Sequence, residues 1–188
     1  MSVAYRIHDQ SKIYFVTLTI VKWLDVLSRN NQKMIIIDSL EYSQSNKSLD
    51  IYAYCIMSNH IHLIVGANGK FLLSDILRDF KKFTSRQIIK NIIEYNESRR
   101  EIFLSAFKKE GRMNYNQQNY KVWQRGYRAI EISSNKFLDQ KIEYIHNNPV
   151  EQLIVERPED YLFSSARNYA GLDSYLDVIV TKGRWKTY

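Results

Sequence analysis

Hydrophobic residues along the chain fall into short β-branched runs separated by longer segments with apolar residues at helical spacing. The segments Lys12–Val21 and Leu49–Met57 are rich in β-branched and aromatic residues, which is typical of strands. Because Ser58 and Asn59 have the chemistry of a turn, the apolar run through Val65 is predicted as a strand that begins directly after a hairpin. A fourth strand with a loop is predicted over Val122–Ile132.

Two long helices are predicted between these strands. The first extends from Asn30 to about Asn46, and the second from an N-cap at Ser74 into the Ile92 region. The second helix is expected to bury the four apolar side chains that recur on one of its sides, Ile76, Leu77, Phe80 and Phe83.

Three further segments complete the pattern. Glu101–Lys109 predicts a shorter amphipathic helix, and Gly111–Tyr120 is polar and is predicted to be a mobile connection. Ser133–Asn135 has capping chemistry and predicts the start of a last helix. That helix is expected to extend to Asn148, where Pro149 should stop it.

The element order strand-helix-strand-strand-helix-strand is that of a ferredoxin-like α+β sandwich with an antiparallel sheet. At 188 residues the chain is most simply one domain, 1–188. In this layout both helices cover one face of the sheet, and the other face stays open to a substrate.

His60 and His62 are candidate metal ligands on the predicted third strand. Successive strand side chains point to opposite faces, so the two histidines share one face while Ile61, Leu63 and Val65 take the other. Two imidazoles aimed the same way can share a divalent metal. Taken alone, a His-x-His motif is more often a pair of ordinary strand histidines.

Tyr144 and Asn148 are candidate partners of these histidines. They are four residues apart on the last predicted helix and so project from the same side of it. Beside two histidines they would make a metal site with an adjacent nucleophile. Their spacing alone favours a simpler interpretation, an amphipathic tyrosine and a helix-terminal cap.

The net charge of +7 and the isoelectric point near 9.3 indicate a polyanionic partner. Hydrophobic content of 45% and charged content of 25% are ordinary for a soluble globular protein, and no apolar run is long enough to span a membrane. The single cysteine, Cys55, excludes an internal disulfide. These features fit a cytoplasmic protein.

A basic stripe recurs every four residues along the second predicted helix, at Arg78, Lys82, Arg86 and Lys90, with Lys81 beside it. Most charge runs are simply a solvated helix face. Here only Asp79 interrupts the positive sign, which favours contact with phosphates.

Two segments far apart in the chain resemble a known family. Met57–Ile64 and Tyr144–Val150 resemble the single-tyrosine transposases of the HUH superfamily, most closely the REP-associated tyrosine transposases. Val122–Gln124 and Pro158–Ala166 also look like that family, and the four segments occur in the family's order over nearly the whole chain.

The resemblance implies a role for each matching residue. His60 and His62 match the two metal ligands of the family, Tyr144 matches the nucleophile on a C-terminal helix, and Asn148 matches the polar third ligand. It implies cleavage of single-stranded or hairpin DNA through a 5′-phosphotyrosine link, with Mn²⁺ or Mg²⁺ as the cofactor. A monomer is favoured over a homodimer. Trp123 and Tyr127, together with the basic stripe and Lys81, are candidates for holding the DNA hairpin.

Three alternatives remain open from the sequence. The same sheet could bind hairpin nucleic acid without cutting it. A metal-dependent hydrolase would use water in place of Tyr144 and leave no protein-linked DNA. A decayed or domesticated copy would keep the site but belong to no mobile element.

Overall fold

A computed structural model describes residues 6–95, 97–113 and 119–181. Four antiparallel strands form one sheet: β1 (Tyr14–Thr19), β2 (Leu49–Ile56), β3 (His60–Ala67) and β4 (Arg128–Glu131). Their spatial order is β2-β3-β1-β4, which places β1 and β3 in the centre. The predicted α+β class with a central antiparallel sheet is therefore confirmed.

Five helices accompany the sheet within the described residues: α1 (Asn30–Lys47), α2 (Leu73–Glu94), α3 (Arg100–Arg112), α4 (Asn135–Glu151) and α5 (Ala166–Tyr169). Helices α1 and α2 pack against each other, and α4 packs on β2 and β3. None of the helices in the described ranges is long and apolar enough to cross a membrane.

The expectation that the histidine face of the sheet stays open is wrong. Helix α4 lies over this face, and it leaves only 8% of His60 and 4% of His62 exposed. The opposite face carries Ile61, Leu63 and Val65, which are completely buried. Both faces of β3 are therefore covered, and the site lies in a crevice between sheet and helix.

The register of the strands explains which residues surround the histidines. In the pairing of β1 with β3, Thr17 lies opposite His62 and Thr19 lies opposite His60. Directly paired residues in an antiparallel sheet point to the same face. The alternation of β1 therefore brings two threonine side chains to the histidine face.

Helix α2 differs from its prediction at two points. It begins at Leu73 with Leu72 in the N-cap position, and the backbone N–H of Ser74 instead donates to Gln10 Oε1 at 3.0 Å. Phe83, which was expected to be buried, is 50% exposed. Thr84 is fully buried in its place. The threonine is accommodated because its hydroxyl donates to a carbonyl one turn earlier in the helix.

Helix α4 starts as predicted but ends later. The Ser134 hydroxyl accepts from the Phe137 N–H at 3.2 Å, which makes Ser134 the N-cap. Pro149 does not stop the helix, which continues to Glu151 with the proline inside its last turn. A proline lacks one N–H donor, but the Pro149 carbonyl still accepts from the Ile154 N–H at 2.9 Å.

The remaining boundaries shift modestly. The predicted fourth strand is divided: Trp123 forms an isolated bridge with Ile20, and the regular strand β4 begins only at Arg128. Helix α3 is longer than predicted and takes in Gly111 and Arg112, the first residues of the predicted polar connection. Residues 114–118 of that connection lie outside the described residues.

Candidate active site

The two histidines of β3 lie side by side. Their ring centroids are 4.7 Å apart, with 73° between the ring planes. Phe15 of β1 stacks on the His62 ring at 5.4 Å, so one side of that imidazole is held by an aromatic face. The pair is thus both close and positionally restrained.

Each histidine has one ring nitrogen engaged by a neighbouring side chain. His60 Nδ1 donates to Asn59 Oδ1 at 2.6 Å, since a carboxamide oxygen can only accept. His62 Nδ1 shares a hydrogen bond of 3.0 Å with Thr17 Oγ1. Such partners set the tautomer and orientation of a metal-binding histidine. Both Nδ1 atoms are therefore committed, so a metal would be bound through the Nε2 atoms.

Burial keeps both imidazoles neutral. Desolvation lowers the pKa of His60, and a hydrogen bond with the Asn148 side chain offsets part of that shift. Desolvation also lowers the pKa of His62 to about 3, with smaller contributions from His60 and the Lys141 ammonium. A neutral imidazole is the form that coordinates a metal.

Helix α4 of the same chain brings the two candidate partners to these histidines. The Tyr144 ring lies 5.3 Å from the His62 ring in an edge-on arrangement and is 42% exposed. Asn148 is 5% exposed and its side chain is hydrogen-bonded to His60. The structure thus brings together all four residues for which the sequence predicted a catalytic or metal-binding role.

Three residues that sequence reasoning missed complete the surroundings. Lys141 Nζ lies 5.5 Å from the centre of the Tyr144 ring and 5.0 Å from that of Phe15. Lys141 precedes Tyr144 by three residues on one helix, which is a spacing that could have identified it. Thr17 could not be identified because the sequence does not give the register of β1 against β3. Asn59 could be identified only as a residue of the predicted turn.

His146 anchors the tyrosine-bearing helix to the sheet. Its Nε2 shares a hydrogen bond of 2.9 Å with Ser165 Oγ, which also accepts from the Tyr54 backbone N–H at 2.9 Å. The Tyr169 ring packs edge-on against the His146 ring at 5.0 Å. These contacts hold α4 over the sheet.

A basic groove of about 940 Å³ lies between α2 and residues 119–125. Its lining contains seven cations and a single carboxylate, that of Glu94. The five predicted DNA-binding cations are all among them. The cations are Arg78, Lys81, Lys82, Arg86, Lys90, Lys121 and Arg125.

Not every cation of the basic groove is free to bind an anion. Arg78 forms ion pairs with Asp75 and Asp79, and the Lys81 ammonium donates to the backbone carbonyls of Gln124 and Gly126. Burial lowers the pKa of Lys81 to about 8.

Lys90 Nζ lies 3.9 Å from Glu94 Oε1 and forms an ion pair with it. Lys82 and Arg86 form no ion pair within the described part of the chain. Arg125 is also exposed and also forms no ion pair among the described residues, so these three are the cations best placed to receive a phosphate.

The prediction of Trp123 as a base-stacking residue is wrong. Its side chain is only 3% exposed, and its indole N–H donates to Thr84 Oγ1 at 3.0 Å. It packs near Phe80 as part of the core, so no base can reach its ring. Tyr127 is half-buried, and burial raises the pKa of its hydroxyl.

The family model described as "Transposase IS200 like" matches residues 13–109, just over half of the chain. No curated protein matches the sequence. Among solved structures, the chain is similar to a REP-associated tyrosine transposase bound to a REP hairpin, with a TM-score of 0.65 and 18% identity over 100% of this chain and 99% of that one. At that identity the likeness concerns the fold.

A second solved structure, a candidate transposase from Deinococcus radiodurans R1, matches with a TM-score of 0.41 and 19% identity. That match covers 76% of this chain and 94% of the other.

Proposed function

The chain belongs to the transposase IS200-like family, and from that premise we propose that it cleaves and rejoins single-stranded DNA through Tyr144. One observation carries the proposal. The Tyr144 ring lies 5.3 Å from the His62 ring, beside a pair of neutral imidazoles. A nucleophile, a candidate metal site and a cation therefore meet in one crevice.

The residues present fit a divalent metal. Both imidazoles are neutral with their Nδ1 atoms engaged, and the Asn148 side chain is hydrogen-bonded to His60, so its carboxamide lies beside the ring nitrogen that would bind the metal. Asn148 is the proposed third ligand, because its side chain is hydrogen-bonded to His60 and its carboxamide oxygen can coordinate a metal. The amide oxygen is a donor that suits Mn²⁺ and Mg²⁺, and the two imidazole nitrogens favour Mn²⁺ over the harder Mg²⁺. When bound, such an ion would supply Lewis-acid polarisation of the scissile phosphate.

Tyr144 supplies the nucleophile in this proposal. Its hydroxyl gives a proton to solvent water, which can reach the 42% exposed side chain, the phenolate oxygen forms a bond to phosphorus, and the bond from phosphorus to the 3′-oxygen breaks. The departing oxygen takes up a proton, which leaves a free 3′-hydroxyl and a 5′-phosphate linked to Tyr144. Because the link keeps the phosphodiester's reactivity, a 3′-hydroxyl can attack it and rejoin the strand.

Lys141 supports this step electrostatically. Its ammonium lies 5.5 Å from the centre of the Tyr144 ring and is not part of an ion pair within the described residues. A cation fixed beside the reacting atoms stabilises the negative charge of the phenolate and of the phosphate in the transition state.

Hairpin DNA is the proposed substrate. The REP-associated relative of similar fold is bound to a REP hairpin, and the basic groove of this chain offers seven cations to a phosphate backbone. The Gln124 N–H at the groove donates to the Thr19 carbonyl at 2.8 Å, and Thr19 pairs with His60. Two strand spacings, roughly 10 Å, therefore separate the Gln124 backbone at the edge of the groove from the His60 backbone within the sheet.

The groove can be tested through the salt dependence of binding. Replacing Lys82 and Arg86 together by glutamine should lower the slope of log affinity against log salt by roughly 0.7 per lost phosphate contact. The matched control replaces Lys108 and Lys109 by glutamine, since both are exposed cations of α3 outside the groove. Equal slopes for the two double variants would remove the groove from the proposal.

A monomer is the proposed functional unit, because α4 delivers Tyr144 to the histidines of its own chain. The test mixes a His60→Ala, His62→Ala protein with a Tyr144→Phe protein. A monomer with its site in one chain gives no product from the mixture. Restored activity would show that two chains share the site.

The proposed reaction is tested by incubating the protein with labelled single-stranded hairpin oligonucleotides and Mn²⁺, followed by a denaturing gel. A slow-migrating adduct should form with the wild-type protein and be absent with Tyr144→Phe. Tight binding without an adduct from any hairpin would indicate a non-catalytic binding protein. Cleavage that persists in Tyr144→Phe would indicate a hydrolase that uses water.

A further inference from the structure

Trp23 is an exposed aromatic residue at the edge of the candidate active site. Its side chain is 61% exposed, and its ring lies 6.1 Å from the His60 ring at an angle of 70°. Trp123, by contrast, is buried in the core. An indole of this exposure contributes little to folding, yet it lies beside a proposed ligand of the metal that would bind the scissile phosphate.

The backbone around Trp23 adopts an unusual conformation. Lys22 and Trp23 have φ values of 54° and 56°, so two consecutive residues with bulky side chains occupy the left-handed region. Such conformations are unfavourable for residues other than glycine and concentrate at functional sites. The Trp23 N–H donates to the Ile20 carbonyl at 3.1 Å, which closes the turn.

One side chain ties this turn to the metal site. Asn59 Oδ1 accepts from His60 Nδ1 at 2.6 Å, while Asn59 Nδ2 donates to the Trp23 carbonyl at 3.4 Å. The amide that orients the candidate ligand therefore also holds the turn that presents the indole. The position of the ring is coupled to the site and is not an accident of an unconstrained loop.

We propose that Trp23 is a stacking platform for an unpaired nucleobase that flanks the scissile phosphate. This inference rests on the proposed function, because a scissile phosphate bound at the metal site beside His60 would bring the bases on either side of it near the indole. Stacking on an aromatic face tolerates any base, but the base must be free of its neighbours in a duplex. Trp23 thus selects single-stranded DNA at the cleavage position without reading its sequence.

The test measures the affinity of single-stranded oligonucleotides in a Tyr144→Phe background, where no covalent product forms. Trp23→Ala should weaken binding by roughly 5- to 150-fold, the range that loss of one stacked base implies. Trp23→Phe should retain most of the affinity. The matched control is Tyr42→Ala, which removes an aromatic side chain of 58% exposure from α1.

A second arm uses oligonucleotides that each lack one base near the cleavage position. Removing the stacked base should weaken binding to the parent protein. It should not weaken binding to Trp23→Ala further, because that variant already lacks the contact between the indole and the base. The inference would be overturned if every abasic oligonucleotide lost as much affinity for Trp23→Ala as for the parent protein. That result would indicate that Trp23→Ala disturbs the turn in general and removes no contact with a base.

The two proposals fail in different ways. If Trp23→Ala binds as tightly as its parent while the wild-type protein forms the Tyr144 adduct, the stacking role is wrong and the proposed function stands. If the wild-type protein neither binds nor forms an adduct with any hairpin, the proposed function fails and the stacking role fails with it.

Discussion

Replacing Thr17 by valine removes one hydroxyl from the candidate site at nearly constant volume. Thr17 Oγ1 and His62 Nδ1 share a hydrogen bond of 3.0 Å, and His62 is 4% exposed. Water therefore cannot readily replace the lost partner. The imidazole should lose part of its preference for the tautomer that leaves Nε2 free, and its affinity for a metal should fall.

The structure indicates that the loss of metal affinity should be near the low end of the range found for such partners. Removing such a partner typically lowers metal affinity or activity by about 10- to 100-fold. Phe15 stacks on the His62 ring at 5.4 Å and Tyr144 contacts it at 5.3 Å, so the ring stays restrained from two other directions. We therefore expect about a tenfold loss, which corresponds to about 1.4 kcal/mol.

Isothermal titration of Mn²⁺ into each protein at pH 7.5 measures the effect. The control is Thr19→Val, which removes an equivalent hydroxyl from the same strand face at a position paired with His60. Thr17→Val should bind Mn²⁺ about tenfold more weakly than Thr19→Val. Equal affinities in the two variants would refute the role of the Thr17 hydrogen bond, and no binding to the wild-type protein would refute the metal site.

Three other predictions concern stability and rate. Burial lowers the pKa of His62 to about 3 and that of His146 to about 4. Between these values and 6.5 the unfolded chain therefore binds more protons than the folded protein. The free energy of unfolding should fall as the pH decreases through this range. Urea titrations at pH 7.5 and pH 5 measure this. By the same method, Trp123→Ala should cost about 3–5 kcal/mol, whereas Trp23→Ala should change stability by less than about 0.5 kcal/mol. Lys141→Met should slow adduct formation on the order of tenfold, because its ammonium lies 5.5 Å from the centre of the tyrosine ring and not in direct contact.

Each of these has a control and a contradicting result. His146→Gln should reduce the loss of stability at pH 5, and a wild-type stability that does not change between the two pH values would contradict the burial of the imidazoles. A Trp123→Ala protein as stable as the wild type would contradict its place in the core. Lys136→Met is the control for Lys141, since Lys136 is an exposed cation of the same helix, and equal rates in the two would remove Lys141 from the mechanism.

Local spacing was enough to predict which residues belong to the site. The alternation of β3 puts His60 and His62 on one face, and the four-residue interval puts Tyr144 and Asn148 on one side of α4. Both rules depend only on backbone geometry within one element. The structure brings all four side chains together, while their chemical roles stay predictions.

Tertiary packing decided the features that the sequence did not reveal. Trp23 and Trp123 are the same residue type and each follows a valine within two residues and a lysine close by, yet one is 61% exposed and the other 3%. Nothing local to either residue distinguishes them, because their burial depends on α2 and on the end of β1. The covering of the histidine face by α4 is a long-range contact of the same kind.

The central claim is that Tyr144 forms the covalent link to DNA, and peptide mapping of the adduct tests it most directly. Trypsin should release the peptide 142–167, because cleavage after Arg157 is blocked by Pro158. This peptide contains only two tyrosines, and Tyr161 is 6% exposed with its hydroxyl bonded to the Ile56 carbonyl at 2.7 Å. Fragmentation should locate a 5′-phosphonucleotide on Tyr144. A nucleotide on any other residue, or product DNA with no linked peptide, would contradict the account.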